Sequence, residues 1–391
     1  MSKRQEGETT TTSPTKVPGA CRWRGGVTAN GRLLRAIERR LFAVDKLKHL
    51  REVVQGHERA LIVMHDNPDP DALGSALALR LLFECMGVRE AVVAYGGSVG
   101  RAENRTLISL LKLSLQPIAT VQPETFDLFA LVDTQPTAGN HSLPEARFWP
   151  QVVIDHHPWR EASHRVAHAD VDPSCGAAST LLVEALSAAE LEPSRKLATA
   201  LYYGIKSDTD DLADRASQAD LSAYMQLFPL ADRALLHRIE HPALPARYFQ
   251  LVGQAYQRAR IHRDLVESNL GELYSPELTA EIAEQLLMLE GMHWSLTYGT
   301  FRRQLFVSVR SQGPRRSAGR TLSDLCNGLE GSSGGHVTMA GARLTLPTGE
   351  EAAWRFKQVF LARFLKRLGI HDLLGVSLSS VGLIRGADDS G

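Results

Sequence analysis

The chain has 391 residues, 43% of them apolar and 23% charged, with 44 Lys+Arg against 44 Asp+Glu. This is a globular composition, long enough for two or three domains, and its balanced charge excludes a protein-wide basic field: a nucleic-acid partner must be met by a local patch, which suits a small ligand better than a long duplex. No apolar run reaches the roughly 18 residues of a membrane helix, the start lacks a signal-peptide core, and Cys21, Cys85, Cys175 and Cys326 form no CxxC pair, so reduced thiols and a cytoplasmic location are expected.

In chain order, residues 1–31 are rich in Thr, Ser, Gly, Pro and Lys and are expected to be a disordered extension. Leu33–Val54 reads as a charged amphipathic helix packed on the outside of a first domain. Apolar runs then alternate with helical stretches. Strand Ala60–Met64 precedes helix Ala72–Met86, and strand Ala91–Tyr95 precedes helix Ala102–Leu113. Strand Leu128–Val132 ends at Asp133, and strand Val152–Ile154 ends at Asp155-His156-His157. Helices follow at Ala177–Leu186, Arg195–Ile205 and Asp214 to about Glu240. Short, continuously apolar strands separated by helices predict an α/β fold: a parallel sheet with helices on both faces, over residues 32–240. His241-Pro242-Ala243-Leu244-Pro245 breaks the pattern, and Ala246–Arg260 reads as a helix between domains, giving a helical linker over 241–261. A smaller α/β domain is expected over 262–370. It has a helix at Pro276–Leu289, strands at Trp294–Thr300, Gln304–Arg310 and Ala342–Leu346, a Gly-rich loop at Gly331–His336, and a closing helix at Glu350–Leu368. Residues 371–391 read as a tail.

Polar residues concentrate at the strand ends. After Met64 come His65, Asp69 and Asp71, with Pro68 and Pro70 holding the loop extended. Asp133 follows the third strand, Asp155, His156 and His157 the fourth, and Asp208 follows the helix ending near Ile205. In parallel sheets, ligands sit beyond the carboxyl ends of the strands. Four or more carboxylates with two or three imidazoles exceed what one ion needs and suit two, bridged by one carboxylate. Such a pair acidifies a bound water and clamps a phosphoryl group. Oxygen-rich ligation with a little imidazole points to two divalent cations, Mn²⁺ first with Mg²⁺ as the alternative, and away from structural zinc. The competing reading of the first cluster is a polar loop whose Asp71 only caps the following helix.

Taken in order, these residues resemble the motifs of the DHH family of phosphoesterases. His65-x-x-x-Asp69-x-Asp71 with Gly74-Ser75 resembles the first, Asp133 the second, Asp155-His156-His157 the signature triplet and Asp208 the fourth. Gly334-Gly335-His336 with Ala340-Gly341 resembles the glycine motif of the DHH-associated C-terminal domain. The resemblance runs from about residue 55 to 368 and is greatest to nanoRNase and pAp-phosphatase members. It implies one ion held by His65, Asp69 and Asp133, and a second by Asp71, Asp133, His156 and Asp208. It also implies that Asp155 orients a histidine and that His157 faces the scissile phosphate.

At the substrate end, the Gly-rich loop could aim backbone N–H groups at an anion, and Arg310 with Ser311 could grip a terminal phosphate. His336 could donate to or stack on a base, and the resemblance supports all three as substrate contacts. Arg101 and Asn104, opening a helix after Gly96–Gly100, are candidates as well, with helix capping as the alternative. Met339 before Ala340, and Asp210-Asp211-Leu212 after Asp208, depart from the family pattern and leave the substrate subtype open. The expected activity is hydrolysis of short oligonucleotides, dinucleotides or pAp in the interdomain cleft. A cyclic-dinucleotide phosphodiesterase is the alternative within the class, and a non-catalytic nucleotide-binding regulator the alternative outside it. The expected partners are a short single-stranded oligonucleotide or nucleotide substrate and a second copy in a homodimer, with no membrane.

Overall fold

The computed structural model describes residues 29–213, 216–313, 317–335 and 337–380, with side chains from residue 38 onward. Helix α1 (Ala29–Val54) begins inside the stretch expected to be an extension, and residues 1–28 lie outside the described residues. The first unit then runs β1 (Arg59–Met64), α2 (Pro70–Cys85), β2 (Glu90–Tyr95), α3 (Ala102–Leu111), β3 (Gln116–Pro117), β4 (Leu128–Val132), β5 (Val152–Asp155) and β6 (His168–Val171). Helices α4 (Ala178–Ala188), α5 (Arg195–Asp208), α6 (Gln218–Leu227) and α7 (Arg233–Glu240) complete it. The strands form one sheet in the order β3-β2-β1-β4-β5-β6, every pair parallel. From β1 the chain steps outward to β2 and β3, then returns to the other side of β1 for β4. The segments leaving β1 and β4 therefore diverge, and a crevice opens beyond the ends of these two neighbours.

Residues of β1 alternate between two cores. Ile62 and Met64 pack with α2, α4 and α5, whereas Leu61 and Val63 pack with Phe129, Leu131, Leu143 and Val166. On this second face the helical cover consists of 3₁₀ turns at Ile118–Thr120, Pro123–Thr125 and Glu161–Arg165, with connecting segments between them. The helical stretch expected from residue 214 to about 240 is two helices. Ser217 starts α6 with a capping box closed by Asp220, and Asp232 caps α7 through the N–H groups of Ala234 and Leu235. Each N-cap starts its own helix, and Asp232 begins the second after the first has ended at Leu227.

The second unit comprises α8 (Ala246–Arg258), β7 (Arg260–His262), β8 (Leu265–Glu272), α9 (Leu278–Leu287), β9 (Trp294–Phe301) and β10 (Gln304–Ser311). It continues with α10 (Ala318–Cys326), β11 (Gly331–Gly335), β12 (Met339–Thr345), α11 (Glu350–Arg367) and β13 (Val376–Ser377). The sheet order is β11-β12-β10-β9-β8-β7-β13, with β8 and β9 parallel and the other pairs antiparallel. Helices cover both faces: α10 and α11 share a core with Leu296, Val307 and Val309, while Tyr248 and Leu251 of α8 and Ile282 of α9 share another with Val266 and Leu270.

Two local expectations are corrected here. Gly331–Gly335 is an edge strand and not a loop, in register from Gly331↔Leu344 to Gly335↔Ala340. Only glycine fits at its end, because a Cβ on Gly335 would lie 2.4 Å from the Met339 carbonyl oxygen. Part of the tail adds β13 to the opposite edge, against β7, and residues 381–391 lie outside the described residues. Among the described residues, no helix is long and apolar enough to cross a membrane.

Candidate metal centre

The crevice between β1 and β4 gathers the acidic and imidazole side chains. His65 leaves β1 with Nδ1 3.0 Å from the Asp66 carbonyl oxygen. A carbonyl only accepts, so Nδ1 carries the proton and Nε2 is turned toward Asp69 Oδ2 (3.6 Å) and Asp133 Oδ2 (3.4 Å). Asp69, not Asp71, caps α2: its Oδ1 accepts the Ala72 N–H at 3.0 Å and Pro70 takes the first helical position. Asp71, the second helical residue, is fully buried in the first turn. Its Oδ2 accepts from Ala178 N (2.6 Å) and its Oδ1 from Ser179 N (2.8 Å), two donors at the start of α4. Asp220 fastens that helix start by accepting from Gly176 N and Thr180 Oγ1.

Asp133 sits between the groups in left-handed backbone (φ +57°), a conformation that non-glycine residues hold only under constraint. One oxygen faces His65. The other lies 3.3 Å from His156 Nε2, which is itself 3.4 Å from Asp208 Oδ2. Three sets of ligand atoms each lie within 4.8 Å of one another: His65, Asp69 and Asp133; Asp71, His156 and Asp208; and Asp133, His156 and His157. Glycines let α5 approach closely enough for this. A Cβ on Gly204 would meet Ser179 Oγ at 2.6 Å, and one on Gly74 would meet the Ala200 carbonyl oxygen at 3.0 Å.

The electrostatics are those of a cation cage. Burial, with Asp133 beside it, pushes the Asp71 carboxyl up to about 7. Burial and the carboxylates of Asp69, Asp71 and Asp133 raise Asp208 well above the carboxylate range. Burial opposes charge on His156, yet Asp133 lifts it to about 10, and His65 rises well above 6.5 against its own burial through Asp133 and Asp69. Asp133 is held low by His156 and His65 in spite of its burial. Asp133 Oδ1 and His156 Nε2 are buried atoms without a hydrogen-bond partner. Orphaned ligand atoms amid crowded carboxylates fit divalent cations.

Asp155 lies between His157 and Gln135. Its Oδ1 lies 2.8 Å from His157 Nδ1, and its Oδ2 accepts from Gln135 Nε2 at 2.6 Å. Gln135, 1% exposed, also takes the Arg160 N–H and the Ser163 hydroxyl on its own oxygen. Sequence reasoning passed over Gln135, whose one signal is an amide two residues past a strand-end aspartate. The main-chain donors of Ala178 and Ser179 carry no side-chain signal at all.

Asn104 is buried and donates to the Pro68 carbonyl at 3.2 Å, holding the His65–Asp69 loop. Arg101 Nη2 reaches Glu284 Oε1 of the second unit at 2.9 Å. Arg310 donates to the same oxygen from Nη2 (2.9 Å) and Nε (3.3 Å). The Ser311 hydroxyl donates to the Val337 carbonyl. Gly334 and Gly335 are exposed on edge strand β11, and His336 lies outside the described residues.

Residues 59–205 match the model of the DHH family, N-terminal domain. An uncharacterized protein of Methanocaldococcus jannaschii is 31% identical, over 80% of this chain and 64% of its own length. The cyclic-di-AMP phosphodiesterase GdpP of Geobacillus thermodenitrificans is 27% identical, over 79% of this chain and 48% of its own. The bifunctional oligoribonuclease and PAP phosphatase NrnA of Thermus thermophilus is 28% identical, over 77% and 89%. The chain thus spans less than two thirds of the first two relatives. Among solved structures, an exopolyphosphatase-related protein from Bacteroides fragilis shares the fold, with TM-score 0.65 and 17% identity over 83% of this chain and 98% of that one.

Proposed function

We propose that this chain, whose residues 59–205 match the DHH family, N-terminal domain, is a divalent-metal-dependent phosphoesterase acting on short oligonucleotides, dinucleotides or pAp. The observation that carries the reading is Asp133, whose two oxygens face two separate ligand sets. His65, Asp69 and Asp133 would hold one cation, and Asp71, Asp133, His156 and Asp208 the other. Bound there, such a pair, Mn²⁺ first by ligand type, supplies Lewis acidity and a water acidified toward neutral pH.

The chain's own groups do the rest. Asp66 fixes the tautomer of His65, and the α4 amides fix both oxygens of Asp71, so the ligands are pre-set. Gln135 holds Asp155, and Asp155 keeps the His157 proton on Nδ1, so proton delivery to a leaving oxygen runs through Nε2. Burial opposes charge on His157, but Asp155 and Asp133 raise its pKa above 6.5, as suits an acid at neutral pH. The similarity to an oligoribonuclease and PAP phosphatase supports this substrate class. The similarity to a cyclic-di-AMP phosphodiesterase keeps a cyclic dinucleotide as the second reading. A non-catalytic regulator is disfavoured, because no ligand of either set is missing.

The test is Mn²⁺-dependent turnover of a short RNA series, pAp and cyclic di-AMP by the wild type and Asp133→Asn, a side chain that tolerates left-handed backbone. The wild type is expected to cleave the linear substrates best. The variant should fold yet lose about a thousandfold or more on every substrate. Retained turnover in the variant would contradict the mechanism.

A further inference from the structure

Arg101 of the first unit and Arg310 of the second converge on one atom, Oε1 of Glu284, through three N–H donors at 2.9, 2.9 and 3.3 Å. A carboxylate oxygen has two lone pairs, so the donors outnumber what that atom can accept well. The surroundings are unequal. The Arg310 side chain is 11% exposed, and its Nη1 is tied to Ser308 Oγ (2.8 Å) and the Val309 carbonyl (3.1 Å). Its Nε–Nη2 edge, the fork that grips oxyanions side-on, points at Glu284. The Glu284 side chain is 41% exposed, so its head can move into water while Arg310 stays. An uncompensated buried guanidinium is costly, so an anion must replace the carboxylate when it leaves. A terminal phosphate brings three oxygens to three donors.

We propose that Glu284 is a competing gate: an internal carboxylate that occupies the Arg101–Arg310 fork and must be displaced by a ligand's terminal phosphate. The inference deepens the substrate class proposed above and rests on that reading. Glu284 can swing without the units parting, because α9 is anchored separately where Glu277 Oε1 accepts from Ser98 Oγ at 2.9 Å. Gly100 is pressed against the same Glu277 side chain, with no room for a Cβ. A ligand lacking the phosphate cannot satisfy both arginines and must bind with the gate in place.

The experiment measures binding to the metal-free full chain by calorimetry, using diadenylate with a 5′-phosphate, with a 3′-phosphate and with neither. Wild type is compared with Glu284→Gln, which keeps the shape and removes the charge. The Kd ratio of unphosphorylated to phosphorylated ligand should rise about tenfold in the variant, for whichever end is recognised, as one charge-assisted competitor is removed. Arg310→Lys, which lacks the fork, should abolish the preference. An unchanged ratio, an equal weakening of all ligands, or no binding by either protein would overturn the gate. Glu284 would then merely brace the two units. These binding results stand apart from Mn²⁺-dependent hydrolysis by the wild type, whose absence would sink the phosphoesterase reading and not the gate.

Discussion

Asp71→Asn should stabilise the metal-free protein at pH 8 while weakening its response to metal. In the folded chain this carboxyl is raised from an ordinary 3.8 to about 7 by burial and by Asp133. Below pH 4 both the folded and unfolded states hold the proton, and nothing is lost. Between pH 4 and 7 the folded state keeps a proton that the unfolded chain releases, so stability falls as pH rises. Above 7 the carboxylate is ionised in both states and the penalty is complete, at most about 4 kcal/mol for a rise of this size. Asp133 and Asp208 share the same cluster, so one substitution recovers only part of it. Asparagine offers one oxygen to the Ala178 and Ser179 amides where aspartate offers two, which costs about 1–2 kcal/mol. The net expectation is a gain of about 1–2 kcal/mol at pH 8 that reverses to a loss by pH 5. Urea unfolding in EDTA at both pH values measures this, and repetition with Mn²⁺ should stabilise the variant less than the wild type, because only the ion at His65, Asp69 and Asp133 keeps its full ligand set. A variant less stable than wild type by the same amount at both pH values would refute the electrostatic reasoning.

Gly204→Ala places a methyl 2.6 Å from Ser179 Oγ and 3.0 Å from the Asp71 backbone. It should cost about 1–3 kcal/mol and separate Asp208 from Asp71, read as a lower melting temperature and weaker Mn²⁺ binding. Gln135→Leu leaves Asp155, the Arg160 N–H and the Ser163 hydroxyl without their partner. It should destabilise by about 2–3 kcal/mol and lower kcat more than KM, with Gln135→Glu failing to rescue because a second carboxylate would face Asp155.

Much of the site was legible because its side chains stand where apolar strands stop. His65 after Met64, Asp133 after Val132 and the Asp155–His157 triplet closing β5 are polar interruptions of buried runs, and the parallel sheet brings their ends together. Strand β6 was not legible: His168 and Asp170 alternate with Ala169 and Val171 on an edge, which looks like a polar connector. Strand β11 was missed because Gly-Ser-Ser-Gly-Gly has no strand propensity of its own and pairs only because β12 offers an edge. The break between α6 and α7 turns on one capping residue, Asp232, within a stretch of continuing helical propensity. Glu284 lies in an ordinary amphipathic helix, and its contact with Arg101 and Arg310 exists only once the two units are assembled.

The central claim is that Asp133 bridges two cation sites, and anomalous scattering at the manganese edge from Mn²⁺-soaked crystals tests it most directly. Two peaks are expected, one among His65, Asp69 and Asp133 and one among Asp71, Asp133, His156 and Asp208. A single peak, or manganese bound away from Asp133, would contradict the account.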